Sequence, residues 1–128
     1  MDFGTDVYQS FFDHAVEGIF LTTPAGKYIM ANSRLAAIYG FSSTEELIES
    51  FENIQTELYV DPGRRDDFVR AMQTQGNVLQ FESQVRRKDG SIIWISENAR
   101  GVQNASGDVV HYEGTVIDIT ERKEMEAA

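Results

Sequence analysis

The chain predicts an α+β domain, a five-stranded antiparallel sheet with helices on one face. Three observations lead there. Leu79, Phe81, Ser83 and Val85 alternate with Gln80, Glu82, Gln84 and Arg86, the period-two pattern of a strand with one buried face. Two Gly-containing turns, Lys88-Asp89-Gly90-Ser91 and Asn104-Ala105-Ser106-Gly107-Asp108, then separate three long β-type runs. Upstream of them, apolar residues recur at helical spacing between turn and cap signals.

In order, Thr5 to Ala15 reads as a short amphipathic helix carrying Val7, Tyr8, Phe11, Phe12 and Ala15. Ile19 to Thr23 and Tyr28 to Ala31 are strands joined by the turn Pro24-Ala25-Gly26. Asn32 caps a helix through Leu35, Ala36, Ile38 and Tyr39, which Gly40 ends. Ser43 with Glu46 forms a capping box before Leu47 and Ile48. Pro62 opens a helix with Phe68, Val69 and Met72 on one stripe, and Gly76-Asn77 stops it. Strands Ile92 to Val102 and Val109 to Ile119 follow, and Asp118-Ile119-Thr120-Glu121 starts a last helix. Asp118 is expected to cap it while Glu121 reaches back.

Composition narrows the functional classes. At 128 residues the chain is one domain, able to bury a core without staples. It has no Cys, which excludes disulfides, thiolate metal sites and cysteine nucleophiles. A net charge of −10 argues against a nucleic-acid footprint. No apolar run approaches the length of a membrane span and no signal-peptide pattern opens the chain, so a cytoplasmic location is expected, with a parent that could be membrane-anchored. Catalysis finds no support. His14 and His111 lie in different elements without an acid motif, Ser42 and Ser43 sit in no nucleophile elbow, there is no phosphate loop, and Asp66-Asp67 suits a solvated helix face.

The strand period sorts the faces. Phe20, Thr22, Leu79, Phe81, Ser83, Val85, Ile95, Glu97, Ala99, Tyr112, Gly114 and Val116 should point at the helices. Leu35, Ile38, Tyr39, Leu47, Phe68 and Met72 should meet them from the helical side. This lining suits a small apolar or amphipathic ligand, and equally an ordinary close-packed core. Glu97 needs an Arg partner, a route to water at a strand end, or a ligand contact. On the outer face Ile19, Leu21 and Trp94 form an apolar stripe that needs a cover. Tyr8, Phe11 and Phe12 of the leading helix, or a second copy of the chain, could supply it.

The hairpin Arg86-Arg87-Lys88-Asp89-Gly90-Ser91 leading to Trp94, and the run Gly114-Thr115-Val116-Ile117-Asp118-Ile119-Thr120-Glu121-Arg122-Lys123, resemble the C-terminal half of a PAS domain. Glu17 to Leu21, Pro24 to Lys27, Tyr28 to Asn32 and Ala36 to Ile48 resemble its N-terminal half, in the family's order. The resemblance, over roughly residues 6 to 123, implies a sensory and dimerisation module of a larger signalling protein. Its divisions would be a flanking helix at 1–16, a PAS core at 17–119 and the start of a signalling helix or linker at 120–128. It implies that Asp118 and Thr120 couple the sheet to an output domain of histidine kinase or nucleotide cyclase type. It also implies homodimerisation through the leading helix and the outer sheet face. No cofactor is expected. Light-sensing relatives bond flavin through a cysteine this chain lacks, and the positions where flavin binders carry amides are here Val85, Ile95 and Val116. Haem-binding relatives place a His on the helix corresponding to Pro62–Gln75, which has none. A purely structural interaction module without a ligand is the rival reading, and a small enzyme using the pocket is a third.

Overall fold

The computed structural model describes residues 3–128, and side chains at 7–54 and 56–128. Residues 1 and 2 of the leading segment lie outside the described residues. The chain runs α1 (Phe3–His14), β1 (Gly18–Thr22), β2 (Tyr28–Ala31), α2 (Ser33–Ile38), α3 (Thr44–Ser50), α4 (Ile54–Glu57), α5 (Gly63–Gln75), β3 (Asn77–Arg86), β4 (Ile92–Gln103), β5 (Val109–Asp118) and α6 (Thr120–Ala127). One five-stranded sheet has the order β2-β1-β5-β4-β3, and every neighbouring pair is antiparallel.

Local chemistry sets the boundaries. Asn32 caps α2 by accepting the Leu35 N–H at 3.0 Å. Ser43 Oγ accepts from Glu46 N at 3.1 Å, and the Glu46 carboxylate takes the Ser42 N–H at 2.9 Å, one residue earlier than in a strict capping box. Gly76 closes α5 in the left-handed conformation, φ 79°, with its N–H on the Met72 carbonyl at 3.0 Å.

Two features depart from the sequence expectation. The single turn α4 and the segment after it carry no strong periodicity, yet Ile54, Leu58 and Tyr59 are core residues. Val60 N donates to Gln84 O and Arg86 N to Leu58 O, so this segment covers the free edge of β3. The second departure is Leu79. Between the pairs Val78↔Ala99 and Phe81↔Glu97, β3 has one residue more than β4, a β-bulge at Leu79-Gln80. Gln80 adopts φ 51°, and its N–H is taken by Asn98 Oδ1 at 2.9 Å. The bulge turns Val78 inward and leaves Leu79 74% exposed, so simple alternation back from Phe81 misplaces it.

The core lies between the sheet and α2–α5. It is aromatic-rich: Phe68 packs edge-on against Tyr112 and Phe81, and Tyr28 against Phe20 and Phe51.

Candidate functional site

Between sheet and helices the structure brings the predicted lining together. Phe20, Thr22, Leu35, Tyr39, Phe68, Met72, Ser83, Val85, Ile95, Glu97 and Val116 are all buried, and Ile38 and Phe81 pack half-buried against them. The strand members arrive by alternation, and the helical members by the apolar stripes of α2 and α5.

Sequence reasoning missed Tyr28, Tyr59, Arg64 and Arg65. Together with Glu97 and Thr22 they make the interior polar. The Tyr59 hydroxyl donates to Glu97 Oε1 at 2.7 Å, and the Tyr28 and Tyr39 hydroxyls lie near enough to affect each other's ionisation. Arg65, only 4% exposed, lays its guanidinium 4.8 Å from the Phe68 ring centre and 5.8 Å from that of Tyr112. Arg64 stacks 3.7 Å from the Phe81 ring centre and donates to Ser83 Oγ at 3.1 Å and the Glu82 carbonyl at 3.0 Å. One signal was available. Two consecutive arginines in the first turn of α5 oppose the helix dipole, so an N-terminal Arg-Arg there is placed for something other than helix stability.

Burial pushes the Glu97 carboxyl above its ordinary range, against the opposing pull of the Tyr59 hydrogen bond and of Arg65 and Arg64. Burial likewise raises Tyr28, Tyr39 and Tyr59, with the nearby Glu97 charge adding to each. A carboxyl raised on folding keeps a proton that the unfolded chain has released. Glu97 therefore subtracts stability as pH rises from the ordinary glutamate range, about 4.3, through its folded pKa. Glu97→Gln keeps an oxygen for Tyr59 and has no proton to lose. The melting temperature of the variant minus that of the wild type should grow more positive between pH 4 and pH 8. Thermal melts across that range check it. The exposed carboxylates held low by Lys88, Lys123 and Ser91 are common to both proteins and cancel. A pH-independent difference would mean that Glu97 is not shifted.

On the outer face, α6 folds against the sheet. Lys123 places its ammonium 4.7 Å from the Trp94 ring centre and 2.6 Å from Glu82 Oε1, and Arg122 pairs with the same Glu82 carboxylate. Thr120 Oγ1 accepts the Trp94 N–H at 3.0 Å and donates to Asp118 Oδ1 at 2.6 Å. Asp118 Oδ1 also takes the Thr120 N–H at 2.9 Å. Asp118 thus makes a local Asx turn one residue ahead of the N-cap position, which Ile119 occupies. No hydrogen bond among the described residues runs back from the Glu121 side chain, so the expected capping box is not formed.

Trp94 lies half-buried on this outer face, and its cover is Lys123 of α6 rather than the leading helix. Ile19 and Leu21 are half-buried on the same face, near the other side of the sheet. Tyr8, Phe11 and Phe12 of α1 border Ile19 and Met30. Phe12 is half-buried there, while Tyr8 and Phe11 remain 79% and 74% exposed.

A sequence profile of the PAS domain matches residues 16–121, and the chain belongs to that family. PAS domains are sensory modules of signalling proteins. Among solved structures, a PAS domain of a Colwellia psychrerythraea protein is similar, with a TM-score of 0.77 and 26% identity over 92% of this chain and 98% of that one. An RNA-binding light-oxygen-voltage receptor is similar with a TM-score of 0.75 and 25% identity, over 95% of this chain and 35% of that one. A domain of a sensory box sensor histidine kinase/response regulator from Geobacter sulfurreducens has a TM-score of 0.68 and 20% identity, over 91% and 95%. No curated protein sequence matches the chain.

The residues present do not fit a flavin held as in light-sensing relatives. The chain has no cysteine, and Val85, Ile95 and Val116 present buried aliphatic groups where amides would be needed. Haem finds no histidine on α5, since His14 is on α1 and His111 on β5. Among the described residues no group of three or more His, Asp or Glu could hold a metal ion, and no helix is long and apolar enough to cross a membrane.

Proposed function

We propose that this chain is the sensory and dimerisation module of a larger signal-transduction protein, with a core at 17–119 flanked by a helix at 1–16 and a signalling helix beginning at 120. In this reading a small, partly polar ligand is perceived between sheet and helices. The change passes through the outer face into α6 and on to an output domain of histidine kinase or nucleotide cyclase type, in the cytoplasm. The module has no catalytic role of its own.

One observation carries the reading. Phe81 faces Glu97 on the inner side of the β3–β4 ladder, and the adjacent pair Glu82 and Ser96 faces outward. Arg64 holds this rung from the interior through the Glu82 carbonyl and Ser83, while Arg122 and Lys123 hold it from outside through the Glu82 carboxylate. A shift of the α5 N-terminus therefore moves the strand that anchors the exit helix. Individually such exposed ion pairs are weak, which suits a contact meant to be released. A second copy would pack on the exposed Tyr8 and Phe11 of α1 and the stripe at Ile19 and Leu21. The ligand-free assembly module remains the alternative, and the polar interior around Glu97 and Arg65 speaks against it, because a core built only for assembly gains nothing from buried charge.

The test is Asp118→Ala. Losing one exposed Asx turn costs about 1 kcal/mol, a small part of a stability of roughly 5–15 kcal/mol. The isolated domain should stay folded, with a melting temperature lower by about 4 °C. Amide exchange over residues 120–127 should speed up, and the full-length protein should lose stimulus-dependent output. Normal switching with faster exchange would remove Asp118 from the coupling route.

A further inference from the structure

Arg65 is a buried cation that feels the Glu97 carboxyl without forming an ion-pair contact with it, and one of its donor nitrogens is unmet. Its Nη2 has no hydrogen bond among the described residues, and no carboxylate among them lies within ion-pair reach of its guanidinium. Glu97, the other buried charge-bearing group, has its Oε1 taken by Tyr59. Stacking on Phe68 and Tyr112 occupies the faces of the guanidinium and leaves the Nη2 donors unmet. A buried guanidinium nitrogen left without an acceptor is costly, and proteins keep one where something else takes its protons.

A second orphan lies on the inner face of the same sheet. Thr22 Oγ1 is buried and without a hydrogen-bond partner among the described residues. Thr22 sits opposite Tyr112 in the β1–β5 register, the same tyrosine whose ring lies under Arg65. Gly26, in the turn that follows Thr22, closes the far side: a Cβ there would meet Arg65 Nη2 at 3.7 Å. A strand hydroxyl and a helix guanidinium thus flank Tyr112 from the sheet and helix layers, each with an unmet polar atom.

We infer that Arg65 and Thr22 form the recognition point for a small carboxylate. The guanidinium would supply the planar, charge-assisted contact and the threonine hydroxyl one further hydrogen bond. This rests on the sensory reading above and names its ligand class. A carboxylate matches the guanidinium fork in shape and charge, whereas a neutral alcohol leaves the cation unneutralised. Close packing by Phe68 and Tyr112 restricts the ligand to a few heavy atoms.

The probes are sodium formate, acetate and propionate at constant ionic strength, with sodium chloride and ethanol as comparisons. Thermal shift and saturation-transfer NMR are read on the whole chain. At least one carboxylate should raise the melting temperature saturably, since a ligand that binds only the folded state stabilises it by mass action. Arg65→Lys, which keeps charge and loses the fork, should weaken that binding by about tenfold or more. Thr22→Val, nearly isosteric, should weaken it several-fold and serves if the arginine variant does not fold. Carboxylate shifts no larger than those of chloride, or shifts unchanged in Thr22→Val and Arg65→Lys, would overturn the inference. Trp94 fluorescence and α6 amide exchange separate the two readings. If ethanol binds and moves Trp94 while no carboxylate does, the carboxylate class falls and the sensory reading stands. If a carboxylate binds and α6 is unmoved, the site stands and the route to the exit helix falls.

Discussion

Asn32→Ala should unfasten four elements at once and cost about 3–5 kcal/mol, a loss of the same order as the whole stability of a small domain. The Asn32 side chain is completely buried. Its Oδ1 accepts from Ile19 N at 2.9 Å and Leu35 N at 3.0 Å, and its Nδ2 donates to Phe12 O at 2.9 Å and Glu17 O at 3.0 Å. One amide thus ties the end of α1, the lead into β1 and the start of α2 to the end of β2. Alanine leaves two backbone donors and two backbone acceptors without this partner. Asn32→Asp separates capping from tethering, because it keeps the acceptor for Ile19 and Leu35 and turns a carboxylate toward two carbonyls. Denaturant unfolding should show both variants strongly destabilised. Both should release α1, seen as faster amide exchange over residues 7–14, while only the aspartate variant keeps the α2 cap on Leu35. A loss below about 1 kcal/mol for alanine would mean that water replaces the amide at little cost.

Gly114→Ala should be as damaging, by overpacking rather than by loss. A Cβ on Gly114 would lie 2.3 Å from the Asn98 carbonyl oxygen and 2.8 Å from both Ala99 Cβ and Phe20 Cζ. The first of these is backbone of the neighbouring strand and cannot rotate away. Overpacking commonly costs 1–3 kcal/mol, and a backbone clash inside the β1–β5–β4 ladder places this one at about 3 kcal/mol or more, roughly 10 °C in melting temperature. Chemical denaturation of the purified variant measures it, and failure to obtain soluble protein agrees with it. A shift under about 1 kcal/mol would show that β5 can slide away from Asn98. The same closeness explains why Gly114 sits in mid-strand, where glycine is otherwise unfavourable.

Most of the architecture was legible because its signals are local. Alternation in β3, β4 and β5, the Asp89-Gly90 turn, the Asn32 cap and the Gly76 stop each rest on the conformational preference of a few neighbouring residues. Burial of Phe20, Ser83, Val85, Ile95, Glu97 and Val116 followed from strand parity alone. Leu79 did not follow, because a bulge adds a residue and reverses parity without any composition cue.

By itself, then, the chain determined the order of its main elements other than α4, the strand faces away from the Leu79 bulge, and the PAS family, since these are written in short-range pattern and in the order of its motifs. Only the tertiary structure decided what occupies the interior and what covers Trp94. Tyr59 meets Glu97 across 38 positions, Lys123 meets Glu82 and Trp94 from another layer, and α5 brings Arg65 over the ring of Tyr112, the cross-strand neighbour of Thr22. Pairings of that kind depend on side-chain reach and packing between layers, and no periodicity along the chain records them.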